Sequence, residues 1–310
     1  MKKVFIDGAQ GTTGLRIHDR LSERTDIELI RLPDEVRKDP TAVGEALNQA
    51  DIAFLCLPDD AAREAVGLVK NDHTVILDTS TAHRTAAGWA YGFPELSPEH
   101  RSALTSSHRI AVPGCHASGF IALVYPLIRA GLLKKDADLS CFSLTGYSGG
   151  GRKMIAQYES PDRSSLLDAP RQYGLTQQHK HLKEMVAVTG MASAPAFCPI
   201  VSDFYAGMEV TVPLFPSCLL KKAGIQDIVD IYSEAYQTGV VKVCQGDDEE
   251  GFLSAGAYSG KDSMVLSVMG QEERMLLVAR YDNLGKGASG AAVQCMNLVL
   301  GAAEDTGLVL

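Results

Sequence analysis

Apolar and polar positions in the first third of the chain come in short alternating blocks. Val4-Phe5-Ile6-Asp7 is an apolar run that predicts a buried first strand, and Leu15 to Leu21 carries apolar residues at helical spacing. The alternation then repeats. Glu28 to Arg31 predicts a second strand, Thr41 to Gln49 a helix, Asp51 to Pro58 a third strand, and Ala61 to Lys70 a helix capped by Asp59-Asp60. Val75 to Asp78 predicts a fourth strand, Tyr91 to Leu96 a loop, Glu99 to Ser106 a short helix and Ile110 to Val112 a further strand. Phe120 to Leu127 reads as a buried helix. Strands alternating with helices imply a parallel sheet with helices on both faces, and ligands of such a sheet bind beyond the carboxyl ends of its strands. Pro58, Ser80, Arg84 and Cys115 all follow predicted strands, so they are expected along that one edge.

Past Gly131 the texture changes. Leu139 to Leu144 predicts a strand that opens into the glycine-rich stretch Thr145 to Arg152, and Gln172 to Met185 carries His179 and His181. Phe204 to Leu214, Met264 to Met269 and Met275 to Tyr281 read as longer strands with partial alternation, which predicts a mostly antiparallel sheet. Asn283 to Gly287 breaks the pattern, and a last helix, roughly Ala288 to Ala303, has apolar positions suited to packing back on the first domain. The fold class expected is α/β. A Rossmann-type dinucleotide-binding domain takes residues 1–114 and 286–310, and an α+β domain takes residues 115–285.

Composition narrows the function classes. The chain has 310 residues, ample for two domains, and a net charge of −9 that argues against a nucleic-acid or acidic-membrane surface. No run approaches the ~20 apolar residues of a membrane span. The N-terminus has too few apolar residues before Asp7 for a signal-peptide core. Seven scattered cysteines with no Cys-x-x-Cys fit a reducing cytoplasm better than a disulfide framework or a zinc site, so no metal is expected.

Two stretches carry candidate chemistry. Gly8-Ala9-Gln10-Gly11-Thr12-Thr13-Gly14 stands between the first strand and the first helix, where glycines let the backbone approach a pyrophosphate that the helix N-terminus binds. Arg31 stands at the end of the second strand, where an NAD site would carry an acidic residue, with Arg37 and Lys38 nearby. This points to NADP, although Asp34 and Glu35 are close and the same charges fit a solvated loop. The second stretch is Ala111-Val112-Pro113-Gly114-Cys115-His116-Ala117-Ser118-Gly119. The turn at Pro113-Gly114 puts Cys115 in the first turn of a helix, where backbone N–H groups favour thiolate, or else a small buried cysteine simply packs there. His179 and His181 would diverge by about 200° on a helix, but both can face one site from an extended loop. His116 is a third candidate. A cysteine and a histidine beside a nicotinamide site suggest thiolate attack on an activated acyl group, with hydride transfer to the thioester and histidine handling the proton. The glycines from Gly146 to Gly151 offer N–H groups to an anion or carbonyl, with Arg152 to pair it; a flexible loop has the same composition.

Pro113 to Gly119 resembles the Pro-Gly-Cys nucleophile segment of the N-acetyl-γ-glutamyl-phosphate reductases, whose aspartate-semialdehyde dehydrogenase cousins share the architecture. Further segments are similar in order: Gly8 to Gly14; Asp78 to Arg84; Tyr91 to Glu95; Gly146 to Arg152; His179 to Glu184; and Asp282 to Ala288. Together they span nearly the whole chain, and its length suggests the compact subgroup. The resemblance implies the third step of arginine biosynthesis, reduction of N-acetyl-γ-glutamyl phosphate by NADPH to N-acetylglutamate semialdehyde and phosphate. It implies Cys115 as nucleophile, His179 or His181 as general acid/base and Glu184 orienting it. Arg84, Arg152, Ser148 and Gly149 would bind substrate. Gly8, Gly11, Thr13, Gly14, Arg31 and Ser80 would hold NADP(H), with Asn283 and Lys286 where the family's chain returns to the cofactor. It also implies a homodimer or homotetramer built through the sheet of the second domain. Two positions depart from the pattern: Lys183 stands where the family has Pro, and His83 where it has Asp. The competing readings are an aspartyl-phosphate reductase, a non-catalytic NADPH-binding sensor and a Cys–His hydrolase.

Overall fold

Six parallel strands form the first of two units, which takes in Met1–Pro94, Pro98–Gly114 and Ala288–Leu308 of the computed structural model; residues 1–310 are all described. Its elements run β1 (Lys2–Asp7), α1 (Thr12–Ser22), β2 (Ile27–Ile30), α2 (Pro40–Gln49), β3 (Ile52–Leu55) and α3 (Asp59–Leu68). They continue with β4 (Val75–Asp78), β5 (Ala90–Tyr91), α4 (Pro98–Ser106) and β6 (Arg109–Ala111). The strand order is β2-β1-β3-β4-β6-β5, with the edge strand β5 ending at Tyr91, the first residue of the stretch expected to be loop. Each central strand is buried on both sides. Val4 and Ile6 pack into one core with Phe54 and Leu77, and Phe5 packs into the other with Ala53, Leu55 and Ile76. That two-sided burial is why these strands read as unbroken apolar runs. The chain reverses direction across the sheet between β1 and β3, the switch point where such sheets bind ligands.

One expected cap is corrected. Pro58 takes the cap position of α3, so Asp59 and Asp60 fall inside its first turn. The Asp59 carboxylate accepts instead from the Thr81 backbone N–H at 2.9 Å and from the Thr81 hydroxyl.

The second unit takes in Glu95–Ser97, Cys115–Gly287 and Val309–Leu310. It begins with α5 (Cys115–Arg129), followed by β7 (Ser140–Gly146), α6 (Gly151–Glu159), β8 (Arg171–Gln172), α7 (His181–Thr189) and β9 (Ala196–Ser202). Then come β10 (Met208–Leu214), α8 (Ile225–Ala235), β11 (Val241–Val243), β12 (Met264–Gln271) and β13 (Arg274–Tyr281). The last helix, α9 (Gly290–Leu300), belongs to the first unit, where Ala291, Ala292, Val293, Cys295 and Met296 join the core of Val4 and Phe54.

The sheet of this unit, in the order β11-β12-β13-β10-β7-β9-β8, is mixed rather than mostly antiparallel. Its centre is antiparallel, but β7 pairs with β9 and β11 with β12 in parallel. A parallel pair needs a long crossover, and the segment carrying α6 and α7 supplies it between β7 and β9. The strands expected from the sequence are the antiparallel centre. β9 escapes notice because Pro199 interrupts it, and a proline argues against a strand interior.

Helix α5 is buried on every side from His116 to Val124, and three tyrosine hydroxyls serve its backbone. Pro126 has no N–H to offer the carbonyl of Ala122, and the Tyr236 hydroxyl donates to that oxygen at 2.7 Å. The Tyr232 hydroxyl donates to the Leu123 carbonyl at 2.6 Å. At the N-terminal end, the Tyr281 hydroxyl donates to the Cys115 carbonyl at 2.5 Å and accepts the Gly119 N–H at 3.0 Å. Val210 on β10 faces α5 at Gly119. Thr211, one residue on, therefore turns to the opposite face of the sheet beside its register partner Phe142, as Pro213 does beside Leu276. Phe142 and Leu276 are exposed.

A buried ion pair fixes the turn after β13. Lys286 Nζ donates to Glu95 Oε1 at 2.7 Å, with both side chains almost wholly inaccessible. Removing one charge leaves the other buried without its counter-ion. Glu95→Gln is expected to lower the unfolding free energy by ~3–5 kcal/mol, read from urea denaturation at neutral pH.

Candidate active site

The glycine turn of the first unit is dictated by backbone crowding. Gly8 has φ +79°, and a Cβ there would sit 2.3 Å from the Cys56 carbonyl oxygen at the end of β3. A Cβ on Gly14 would sit 2.3 Å from the Gly8 carbonyl oxygen, so α1 passes against the turn that precedes it. The Gly11 N–H donates to the Gly8 carbonyl at 2.9 Å and closes the turn. No side chain caps α1 at Gly11, so the first amides of α1, those of Thr12, Thr13 and Gly14, are left uncapped at the positive end of the helix dipole. This fits the pyrophosphate of a dinucleotide, and Thr13 stands among those amides. Burial pushes the Asp7 carboxyl at the end of β1 up to about 6, against the Gly8 N–H that lowers it, which weakens its repulsion of an anion. Arg31 directly follows β2 and is exposed. Arg37 is tied to Asp34 at 3.3 Å.

Ser80 lies after β4 with its hydroxyl donating to Asp78 Oδ2 at 2.7 Å. Asp78 is fully buried and also meets His83 Nδ1 at 2.6 Å, while the His83 ring stacks on Trp89 with centroids 4.0 Å apart. His83 is thus built into the turn after β4. Arg84 donates through Nε to the Val112 carbonyl and through a terminal nitrogen to the Thr79 carbonyl, both at 2.9 Å. It ties the ends of β4 and β6 together just before Pro113-Gly114.

In the second unit Cys115 is the first residue of α5 and is partly exposed. No other cysteine opens an α-helix. Burial pushes the Cys56 thiol up to about 12, with a smaller opposing hydrogen bond from Thr79, and pushes the Cys141 thiol up as well. Neither can supply thiolate at working pH.

Two further histidines gather at His116, the residue after Cys115. His116 is buried, with Nδ1 2.6 Å from the Ser143 hydroxyl and Nε2 2.6 Å from the Tyr173 hydroxyl. Its ring centroid lies 5.7 Å from that of His179 and 5.6 Å from that of His181. His179 stands in the loop before α7 and His181 is its first residue, so the two do not diverge as they would within one helix; their rings are 4.7 Å apart. Glu184 is buried one turn on from His181. Lys183 is exposed, at the third position of α7, where a proline would also be accommodated. Burial, and next the charge of His179, drive the His116 imidazole down to about 3, so it is neutral and one hydroxyl donates to it while the other accepts. Burial, with a smaller contribution from Cys115, holds the Tyr173 phenol protonated. Tyr173 and Ser143 were not marked by the sequence. Their contacts with His116 span 57 and 27 residues, beyond the reach of any local pattern.

The remaining candidates divide into committed and open groups. Ser148 is buried, and its hydroxyl accepts from Asn283 Nδ2 at 3.0 Å. Asn283 Oδ1 accepts the Gly207 N–H at 2.9 Å, so Asn283 and Lys286 both work inside the second unit. Gly149 passes beside Asn283; a Cβ on it would lie 3.4 Å from Nδ2. Arg152, near the N-terminus of α6, is exposed with no protein hydrogen bond or ion pair.

A nucleotide turn in one unit and a helix-opening cysteine backed by histidines in the other define an acyl-transferring dehydrogenase. Residues 3–104 match the model of the semialdehyde dehydrogenase NAD-binding domain, and residues 115–283 that of the semialdehyde dehydrogenase dimerisation domain. A relative from Nostoc sp., N-acetyl-gamma-glutamyl-phosphate reductase 2, is 45% identical over 318 aligned residues covering 99% of each chain. The chain belongs to the N-acetyl-gamma-glutamyl-phosphate reductase family. Among solved structures, aspartate semialdehyde dehydrogenase II from Vibrio cholerae shares the fold at TM-score 0.73 and 16% identity, over 97% of this chain and 98% of its own. The Candida albicans aspartate semialdehyde dehydrogenase, solved with NADP, does so at TM-score 0.68 and 16% identity, over 97% and 99%.

The lowered His116 has a stability consequence. An unfolded histidine titrates near 6.5, whereas folded His116 stays neutral until about 3. As pH falls below 6.5 the unfolded chain takes up a proton that the folded chain refuses, and stability drops by up to about 1.4 kcal/mol per pH unit. Unfolding curves of His116→Asn between pH 7 and 4 are expected to be flatter by that slope than those of the natural protein.

Proposed function

We propose that the protein reduces N-acetyl-γ-glutamyl phosphate to N-acetylglutamate 5-semialdehyde with NADPH, releasing phosphate. The observation that carries the reading is Cys115 at the head of α5 with the histidine cluster at the next residue, in a chain of this family. The Cys115 thiolate attacks the acyl carbon; the C–S bond forms as the carbon–oxygen bond to phosphate breaks. The reduced nicotinamide, when bound, supplies a hydride to the thioester carbon. A histidine protonates the oxygen, then takes the proton back as the C–S bond breaks, leaving the aldehyde and the Cys115 thiolate. Both nitrogens of His116 are already engaged, so His179 and His181 are the groups with protons to move, with Glu184 orienting them. Arg152, with Ser148 and Gly149 beside it, offers its guanidinium to the phosphoryl group or the substrate carboxylate. Arg84 acts on substrate by fixing the backbone ahead of Cys115.

The uncapped amides after Gly11 would hold the NADP pyrophosphate, together with Gly8 and Gly14, and Arg31 the 2′-phosphate. Ser80 adds to the cofactor's surroundings in the first unit, while Asn283 and Lys286, expected at the cofactor, act instead by holding the turn after β13. The exposed Phe142 and Leu276 on the open sheet face support a homodimer, or a homotetramer built from two, through that face. None of the seven cysteines forms a disulfide, which agrees with a cytoplasmic enzyme, and no helix is long and apolar enough to cross a membrane.

Cys115→Ala is expected to lower phosphate-coupled NADPH oxidation by several orders of magnitude while NADPH binding, measured by fluorescence titration, is kept. Activity on aspartyl phosphate in place of the acetylglutamyl substrate would overturn the assignment. Arg31→Ser is expected to raise the KM for NADPH about tenfold, the equivalent of one charge-assisted contact, and to leave that for NADH unchanged in steady-state assays.

A further inference from the structure

Tyr281 is the last residue of β13, and its side chain is fully buried. Its hydroxyl bridges the Cys115 carbonyl and the Gly119 N–H, the two groups that face each other across the first turn of an α-helix. The surroundings are cut to admit it. A Cβ on residue 119 would lie 2.7 Å from the Tyr281 hydroxyl and 2.6 Å from Val210 Cγ2, so glycine is required there. Next to the phenol ring, a Cβ on Gly287 would lie 3.1 Å from Cys115 Cβ and 3.4 Å from Tyr281 Cε2. The first turn of α5 therefore packs against both the phenol and the bare backbone of Gly287. Burial, and next the charge of Cys115, raise the phenol far above its usual range, so it remains a donor at any working pH.

We propose that Tyr281 is a positioning residue for the Cys115 nucleophile: its hydroxyl pins both ends of the turn from which the thiol projects. The inference rests on the reading of Cys115 as nucleophile. A cysteine side chain has a single torsion between backbone and sulfur. The direction of its Cα–Cβ bond is thus set by the turn, and an error there passes undiminished to the reacting atom. A misplacement of about 1 Å costs on the order of 10²-fold in rate. Tyr232 and Tyr236 also serve α5, but their acceptors, Leu123 and Ala122, lie beyond the first turn. They hold the helix without bearing on Cys115.

The test compares Tyr281→Phe with Tyr232→Phe in the full-length protein. Each loses one buried hydroxyl on the same helix, and their melting temperatures are expected to fall by similar amounts. Only Tyr281→Phe is expected to lower kcat, by about ten- to a hundredfold, with the KM values for NADPH and acyl phosphate within about twofold. It is also expected to slow alkylation of Cys115 by iodoacetamide about tenfold, with the modified residue located by peptide mass. Gly287→Ala, which crowds Cys115 Cβ directly, is expected to give the same pattern with the phenol hydroxyl in place. An unchanged kcat and alkylation rate in Tyr281→Phe, or an equal loss of kcat in Tyr232→Phe, overturns the proposal. Should Tyr281→Phe fail to fold, an unchanged alkylation rate in Gly287→Ala overturns it. Alkylation needs no substrate, so a protein that reduces no acylglutamyl phosphate would refute the proposed reaction and leave this measurement decisive on its own.

Discussion

Burial of α5 from His116 to Val124 is the constraint on which the second unit depends. A helix surrounded by apolar side chains has no water to satisfy its first turn or the carbonyl that Pro126 deprives of a donor. Partners must come from elsewhere in the chain, and tyrosine can supply them from inside the core because its ring adds apolar area while its hydroxyl donates. Tyr232 and Tyr236 reach the helix from α8 and its C-cap, and Tyr281 reaches it from β13. A sheet strand and a neighbouring helix therefore complete the helix that carries the thiol.

The segment after β13 follows the same logic with charges. Asp282 is buried and accepts the N–H groups of Gly260, Leu284 and Gly285 at 2.6, 2.7 and 3.2 Å. Asn283 and the Lys286–Glu95 pair are buried beside it. Groups of this kind are costly when left unsatisfied, and here they stiffen one short turn. Asn283 links that turn to Ser148, and thereby to the glycine-rich stretch between β7 and α6. A single network thus holds the backbone of both stretches.

Much of the first unit was legible because its physics is local. Apolar runs of four residues and a glycine-rich turn between the first strand and the first helix are encoded within a few positions. The cysteine at a helix start was legible for the same reason. The histidine pair was legible only as two options, helix or loop, because the boundary of α7 falls between them. Lost to sequence reading were contacts made across the fold: Tyr173 and Ser143 on His116, and Arg84 tying two strand ends. The parallel pairings β11–β12 and β7–β9 flanking the centre of the second sheet were lost too, since strand direction is set by the crossover and leaves no mark on the strand itself. Pro199 made matters worse by lending β9 the composition of a loop.

The separation between Cys115 and Tyr281 also imposes an order on synthesis. The two are 166 positions apart. At ~5–20 residues per second, a ribosome delivers the phenol on the order of ten to thirty seconds after the thiol. Through that interval the growing chain carries a cysteine whose seat has not yet been made, so a truncated or stalled product ending before β13 lacks the seated first turn of the full-length protein.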